Sequence, residues 1–182
     1  MEILVLADFE RFSWDGDVQD ADLLLSCGDV PEDVILQAVE DTGCEQVFAV
    51  KGNHDKSGDF ADPIVDLHMS VEEFRGVKFG GFNGCWKYKP RGHFLYEESE
   101  VQQLVRALPS VDIFLAHNSP RGIHDREDGV HQGFQAFNVY IEKHKPSLFI
   151  HGHQHISTET KAGPTRVVAV YGHQLLDWEP EK

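Results

Sequence analysis

The stretch Gln46-Val47-Phe48-Ala49-Val50-Lys51-Gly52-Asn53-His54-Asp55 contains the unit from which the rest of the chain can be read. Residues 46–50 form a short apolar run that suits a strand buried on both faces, and they stop at a Gly turn carrying an amide, an imidazole and a carboxylate. Four more short apolar runs, at residues 2–7, 22–26, 112–116 and 147–151, have the same form and read as strands. Asp8 follows the first, Cys27-Gly28-Asp29 the second and His117 the fourth. The fifth runs into His151-Gly152-His153-Gln154-His155. Each of these residues alone could be an ordinary turn former, helix cap or surface imidazole. Their recurrence at five strand ends is not explained that way.

Between the strands lie amphipathic stretches. Residues 31–41 begin with Pro31 at a first helical position and stop before Gly43, residues 97–108 stop before Pro109, and residues 134–144 stop before Pro146. All three are predicted helices. Residues 71–82, and 165–170 with their neighbours, contain short strands around Gly or Pro turns and read as hairpins. Strand–helix units mixed with hairpins predict an α/β fold of two packed β-sheets flanked by helices. No repeat, low-complexity tract or linker composition divides the chain, so residues 1–182 are expected to form a single domain.

Composition narrows the function classes. The chain is 41% hydrophobic and 26% charged, as in soluble globular proteins, and no apolar run is long enough to span a bilayer. The N-terminus lacks the features of a secretory leader, and Cys27, Cys44 and Cys85 form neither a disulfide framework nor a zinc knuckle, so a cytoplasmic location is expected. Asp and Glu number 31 against 16 Lys and Arg, a net charge of −15 that disfavours binding to duplex nucleic acid.

In a sheet of largely parallel strands the C-terminal ends gather at one edge, where open α/β sheets place their ligands. Such an edge would assemble Asp8, Asp29, Asn53, His117, His153 and His155. Carboxylate and amide oxygens mixed with imidazole nitrogens suit Mn, Fe, Zn, Ni or Co better than an all-oxygen calcium cage or a thiolate zinc site. With Asp29 shared, two sites form: Asp8, Asp29 and His155 for one ion, and Asp29, Asn53, His117 and His153 for the other. Two divalent ions about 3.5–4 Å apart can clamp a phosphate and acidify a bridging water.

This ordered set, with its Gly-Asn-His-Asp and Gly-His-Gln-His motifs, resembles the calcineurin-like metallophosphoesterase superfamily over residues 3–155. The resemblance implies a sandwich of two β-sheets with helices outside, and an in-line attack on phosphorus by a metal-bridging hydroxide. It also implies that His54 is no ligand but serves the leaving group as an acid, with Asp55 orienting its ring. One position departs from the family pattern. The usual Asp-x-His at the first strand end is Asp8-Phe9-Glu10 here, so Glu10 either replaces the imidazole as a ligand or faces solvent near Arg11. Ligation is the reading adopted, because carboxylates are competent ligands for the same metals. The added oxygen ligand moves the expected metal towards Mn or Mg.

The polar stretch from Asn118 to His131 is expected to border the pocket, with Arg121 on a phosphate oxygen and His131 on another substrate group; an ordinary surface loop would look similar. The Asn83–Tyr88 segment reads more readily as a loop packed on the core than as a pocket wall, and Cys27 as an inert buried thiol. The expected activity is hydrolysis of small phosphodiesters or phosphomonoesters. The competing readings are a binding or scaffold protein that has lost turnover through Glu10, and a nuclease.

Overall fold

A computed structural model describes residues 1–18 and 20–179. Its strands are β1 (Glu2–Ala7), β2 (Leu23–Ser26), β3 (Gln46–Ala49), β4 (Val65–Asp66), β5 (Val71–Phe74), β6 (Val77–Phe82), β7 (Cys85–Trp86), β8 (Leu95–Tyr96), β9 (Ile113–Ala116), β10 (Leu148–His151), β11 (Thr158–Ala162), β12 (Thr165–Ala169) and β13 (Gly172–Asp177). The helices are α1 (Glu32–Thr42), α2 (Glu98–Val105) and α3 (Gln135–His144). The strands form one sheet in the order β13-β1-β2-β3-β4, a second in the order β11-β12-β10-β9-β6-β5, and a small β7–β8 pair. Strands β1 to β4 run parallel in the first sheet, as do β6, β9, β10 and β12 in the second.

Alternation along the strands explains the layering. Successive side chains point to opposite faces of a sheet, and here both faces are apolar. Ile3, Val5, Leu23, Leu25 and Phe48 meet Phe79, Ile113, Leu115 and Ile150 of the other sheet in a central core. The intervening residues Leu4, Leu6, Leu24 and Val47 pack on Ile35 and Ala38 of α1. On the far side Phe82, Phe114 and Phe149 pack on Val101 and Val105 of α2 and on Phe137 and Tyr140 of α3. Two sheets face to face with helices outside each is the architecture expected from the sequence.

The helix ends follow local chemistry. Helix α1 stops where Gly43 takes the left-handed conformation (φ 63°), and α2 opens with a reciprocal capping box between Glu97 and Glu100. The 71–82 segment forms the antiparallel β5–β6 hairpin, and β12 pairs antiparallel with β11. Strand β13 then crosses to the first sheet and pairs antiparallel with β1, an excursion the local pattern does not reveal.

Candidate metal centre

Because β1, β2 and β3 run parallel in one sheet and β9 and β10 run parallel in the other, their C-terminal ends open onto one place. Bonds between the sheets hold that junction closed. The backbone N–H of His153 donates to Asp8 Oδ2 at 2.7 Å, and His117 Nδ1 donates to the Cys27 carbonyl at 2.8 Å. The second bond leaves His117 Nε2 facing 3.2 Å from Asn53 Oδ1 and 3.4 Å from Asp29 Oδ2. His155 Nε2 stands 3.8 Å from Asp8 Oδ1, and the rings of His117 and His153 lie 4.9 Å apart. The structure thus brings together Asp8, Asp29, Asn53, His117, His153 and His155.

The backbone is strained where these side chains converge. Of nine non-glycine residues with positive φ among the described residues, four are Asp8, Asp29, His153 and His155. Such conformations cost of order 1–2 kcal/mol each and persist where the surroundings impose them. Glycine makes the close approach possible. A Cβ at Gly152 would come within 2.7 Å of Asp8 Oδ2, and one at Gly52 would fall inside the Asp29 carboxylate.

Electrostatics mark the same place. Burial is the main cause that raises the Asp8 pKa to about 7 from 3.8, a cost on the order of 4 kcal/mol for the ionised form. Its Oδ1 is buried with no hydrogen-bond partner among the described residues. Burial would also raise Asp29 and lower His117, but their mutual attraction wins, taking Asp29 down to about 2 and His117 up to about 9. His117 is therefore the counter-charge to Asp29 in the metal-free chain. Burial lowers the pKa of both His153 and His155, favouring the neutral imidazole that a metal requires. Oxygen or nitrogen atoms of Asp8, Asp29 and His117 lie within 4.8 Å of one another, as do those of Glu10, Asp29 and His54. An orphaned buried carboxylate oxygen, surrounded by hard oxygen and imidazole donors, fits a divalent cation.

Asp55, expected to orient the His54 ring, accepts with its Oδ2 the backbone N–H groups of Asp29 (2.8 Å) and Gly52 (2.7 Å). By taking both of these backbone donors, the half-buried Asp55 carboxylate clamps the two ligand loops together. His54 Nδ1 instead lies 3.3 Å from Glu10 Oε1, and Glu10 faces the centre from the short 3-10 turn Phe9–Arg11. Arg121 is drawn into its own loop, with Nε 3.6 Å from Asp125 Oδ2 and Nη2 3.4 Å from Glu127 Oε1. His131 stands with its ring 5.0 Å from that of His153 and 5.7 Å from that of His155.

Some supporting residues escape the sequence reading. The Cys85 thiol donates to Asn53 Oδ1 at 3.1 Å and Asn53 Nδ2 donates to the Tyr88 hydroxyl at 3.4 Å, so the 83–88 loop orients a candidate ligand. Gln154, buried between His153 and His155, donates to Ser119 Oγ and to the His131 carbonyl at 3.0 and 2.9 Å. Composition draws the eye to the Asn83–Tyr88 segment, but nothing in sequence spacing ties it to Asn53. Beside the centre opens a cavity of about 800 Å³ lined in part by Glu10, Asp29, Pro31, His54, Asp55 and Phe60.

Two sheets with helices outside, and a mixed Asp/Asn/His cluster at their shared strand ends, define a metallophosphoesterase-type protein. The model of the calcineurin-like phosphoesterase superfamily domain matches residues 1–170, and the chain belongs to that family. No curated protein matches the sequence. Among solved structures, the protein TT1561 of Thermus thermophilus is similar at 17% identity over 94% of this chain and 89% of that one, with a TM-score of 0.63. The phosphopantetheinyl hydrolase (PptH) from Mycobacterium tuberculosis is similar at 14% identity over 93% and 89%, with a TM-score of 0.56. A Vps29 single mutant from Entamoeba histolytica is similar at 15% identity over 94% and 74%, with a TM-score of 0.51. At these identities the likeness is one of fold. Among the described residues no helix is long and apolar enough to cross a membrane.

Proposed function

We propose that the protein hydrolyses small phosphodiesters or phosphomonoesters with the help of two divalent ions, manganese foremost. The observation that carries this reading is the buried Oδ1 of Asp8, without a hydrogen-bond partner among the described residues and 3.8 Å from His155 Nε2 beside the Asp29–His117 pair. Asp8, Glu10, Asp29 and His155 would hold one ion, and Asp29, Asn53, His117 and His153 the other. When bound, the ions would supply a positive clamp for the phosphate and an acidified water for in-line displacement.

The chain's own residues do the rest. Cys27 fixes the His117 tautomer through its carbonyl, while Cys85 and Tyr88 hold the Asn53 amide with its oxygen towards His117. Asp55 keeps the Asp29 and Gly52 loops in register. His54 lines the open cavity and is half-exposed, so its ring can give a proton to a departing alkoxide there. A scaffold role would leave this acid and the orphaned carboxylate without employment, which favours turnover.

Turnover of paired aryl phosphomonoester and phosphodiester substrates by metal-reconstituted protein tests the reading. His54→Ala is expected to retain its metals and to lose roughly 10²- to 10⁴-fold in kcat on an alkyl leaving group, and less on nitrophenolate. Absence of turnover with every divalent metal tried would refute the proposal, and equal losses on both leaving groups would remove the acid role from His54.

A further inference from the structure

The loop between β9 and α3 holds an imidazole that the ligand set does not use. His131 Nδ1 lies 2.6 Å from Asp128 Oδ2, and Asp128 Oδ1 accepts the backbone N–H groups of His131 (2.8 Å) and Val130 (3.0 Å). One carboxylate thus fixes both the turn and the ring on it. The loop is tied in turn to the candidate ligands: Gln154 donates to the His131 carbonyl, and the Val130 carbonyl lies 3.3 Å from His153 Nε2. With Nδ1 committed to Asp128, Nε2 is the ring atom left for a ligand, and it takes no hydrogen bond among the described residues.

We propose that His131, positioned by Asp128, recognises a hydroxyl on the retained substituent of a phosphodiester substrate. The inference rests on the phosphoesterase reading and adds a substrate class to it. His54 lines the large cavity and serves the leaving group there, whereas His131 lies outside that lining and abuts the His153 and His155 rings. It is therefore placed for the other ester substituent. The chemistry selects the group. A hydroxyl accepts or donates, so it suits the ring in either protonation state. Sugar and polyol phosphodiesters carry such a hydroxyl.

The test compares 4-nitrophenyl 3-hydroxypropyl phosphate with 4-nitrophenyl propyl phosphate on the metal-loaded protein. One hydrogen bond is expected to favour the hydroxylated ester by roughly 3- to 10-fold in kcat/KM, with the difference carried by KM. His131→Ala is expected to bring that ratio to about 1, His131→Gln to restore part of it, and Asp128→Ala to lower it with the imidazole still present. A wild-type ratio at or below 1, or a ratio that survives His131→Ala, overturns the proposal. Calorimetric binding of 3-hydroxypropylphosphonate and propylphosphonate separates the two readings. Preference for the former without any turnover would refute the phosphoesterase reading and keep this one, whereas turnover with no hydroxyl preference would do the reverse.

Discussion

Glu10 is where this chain parts from the motif it otherwise follows. Its carboxylate sits 3.3 Å from His54 Nδ1, in a half-exposed pair of a kind that contributes little to stability, and within 4.8 Å of a ligating atom of Asp29. As a ligand, Glu10 would bring the carboxylates to about −3 against about +4 for two divalent ions, one unit less positive than an imidazole would leave the centre. A less positive centre holds a dianionic monoester less well than a monoanionic diester. Glu10→His is therefore expected to raise the monoester-to-diester ratio of kcat/KM several-fold, and Glu10→Ala to lower the metal content measured on the same sample. Unchanged metal content and an unchanged ratio would leave Glu10 as a partner of His54 alone. The six other candidate ligands could be named from the sequence because each closes an apolar run. The roles of Asp55, Cys85, Tyr88 and Asp128 could not, since their partners are set by how loops from different strands meet.

At the scale of elements, the apolar runs located the strands that bear the candidate ligands to within one residue at either end. The predicted 22–26 became Leu23–Ser26 and 147–151 became Leu148–His151. Continuous apolar runs were readable because each strand is covered by the other sheet on one face and by a helix on the other. The two-residue strands β4, β7 and β8 were not, as two residues carry no period. Strand β13 has only Gly172 and Leu176 buried along its length, and its place beside β1 is decided by a partner at the opposite end of the chain. The sequence also pointed to a shared ligand edge but not to its division between two sheets. That division matters chemically, because bonds such as His153 N–H to Asp8 Oδ2 cross between them and fix their approach.

For the whole molecule, the centre makes stability and metal binding parts of one balance. His151, buried at the end of β10 with Nδ1 2.9 Å from the Gly152 carbonyl and Nε2 3.0 Å from His124 Nδ1, is held neutral mainly by burial, with its pKa lowered from 6.5 to about 3. A pKa depressed in the folded state favours proton uptake by the unfolded chain. The contribution of His151 is therefore complete above pH 6.5 and is lost as pH falls towards 3. In chelator, urea unfolding is expected to show wild-type stability falling faster than that of His151→Gln below about pH 6.5, by up to about 1.4 kcal/mol per pH unit. Parallel curves would contradict that origin. Bound ions should act in the opposite sense, since they engage the folded site and offset the cost of ionising Asp8. The most direct measurement of the central claim is the number of divalent ions per chain, determined together with phosphodiester turnover for wild type and Asp29→Asn. Because Asp29 is the carboxylate both ions would share, wild type should carry about two ions with turnover, and Asp29→Asn should lose ions from both sites and turnover with them. Two ions retained by Asp29→Asn with near-wild-type turnover would contradict the shared-carboxylate centre.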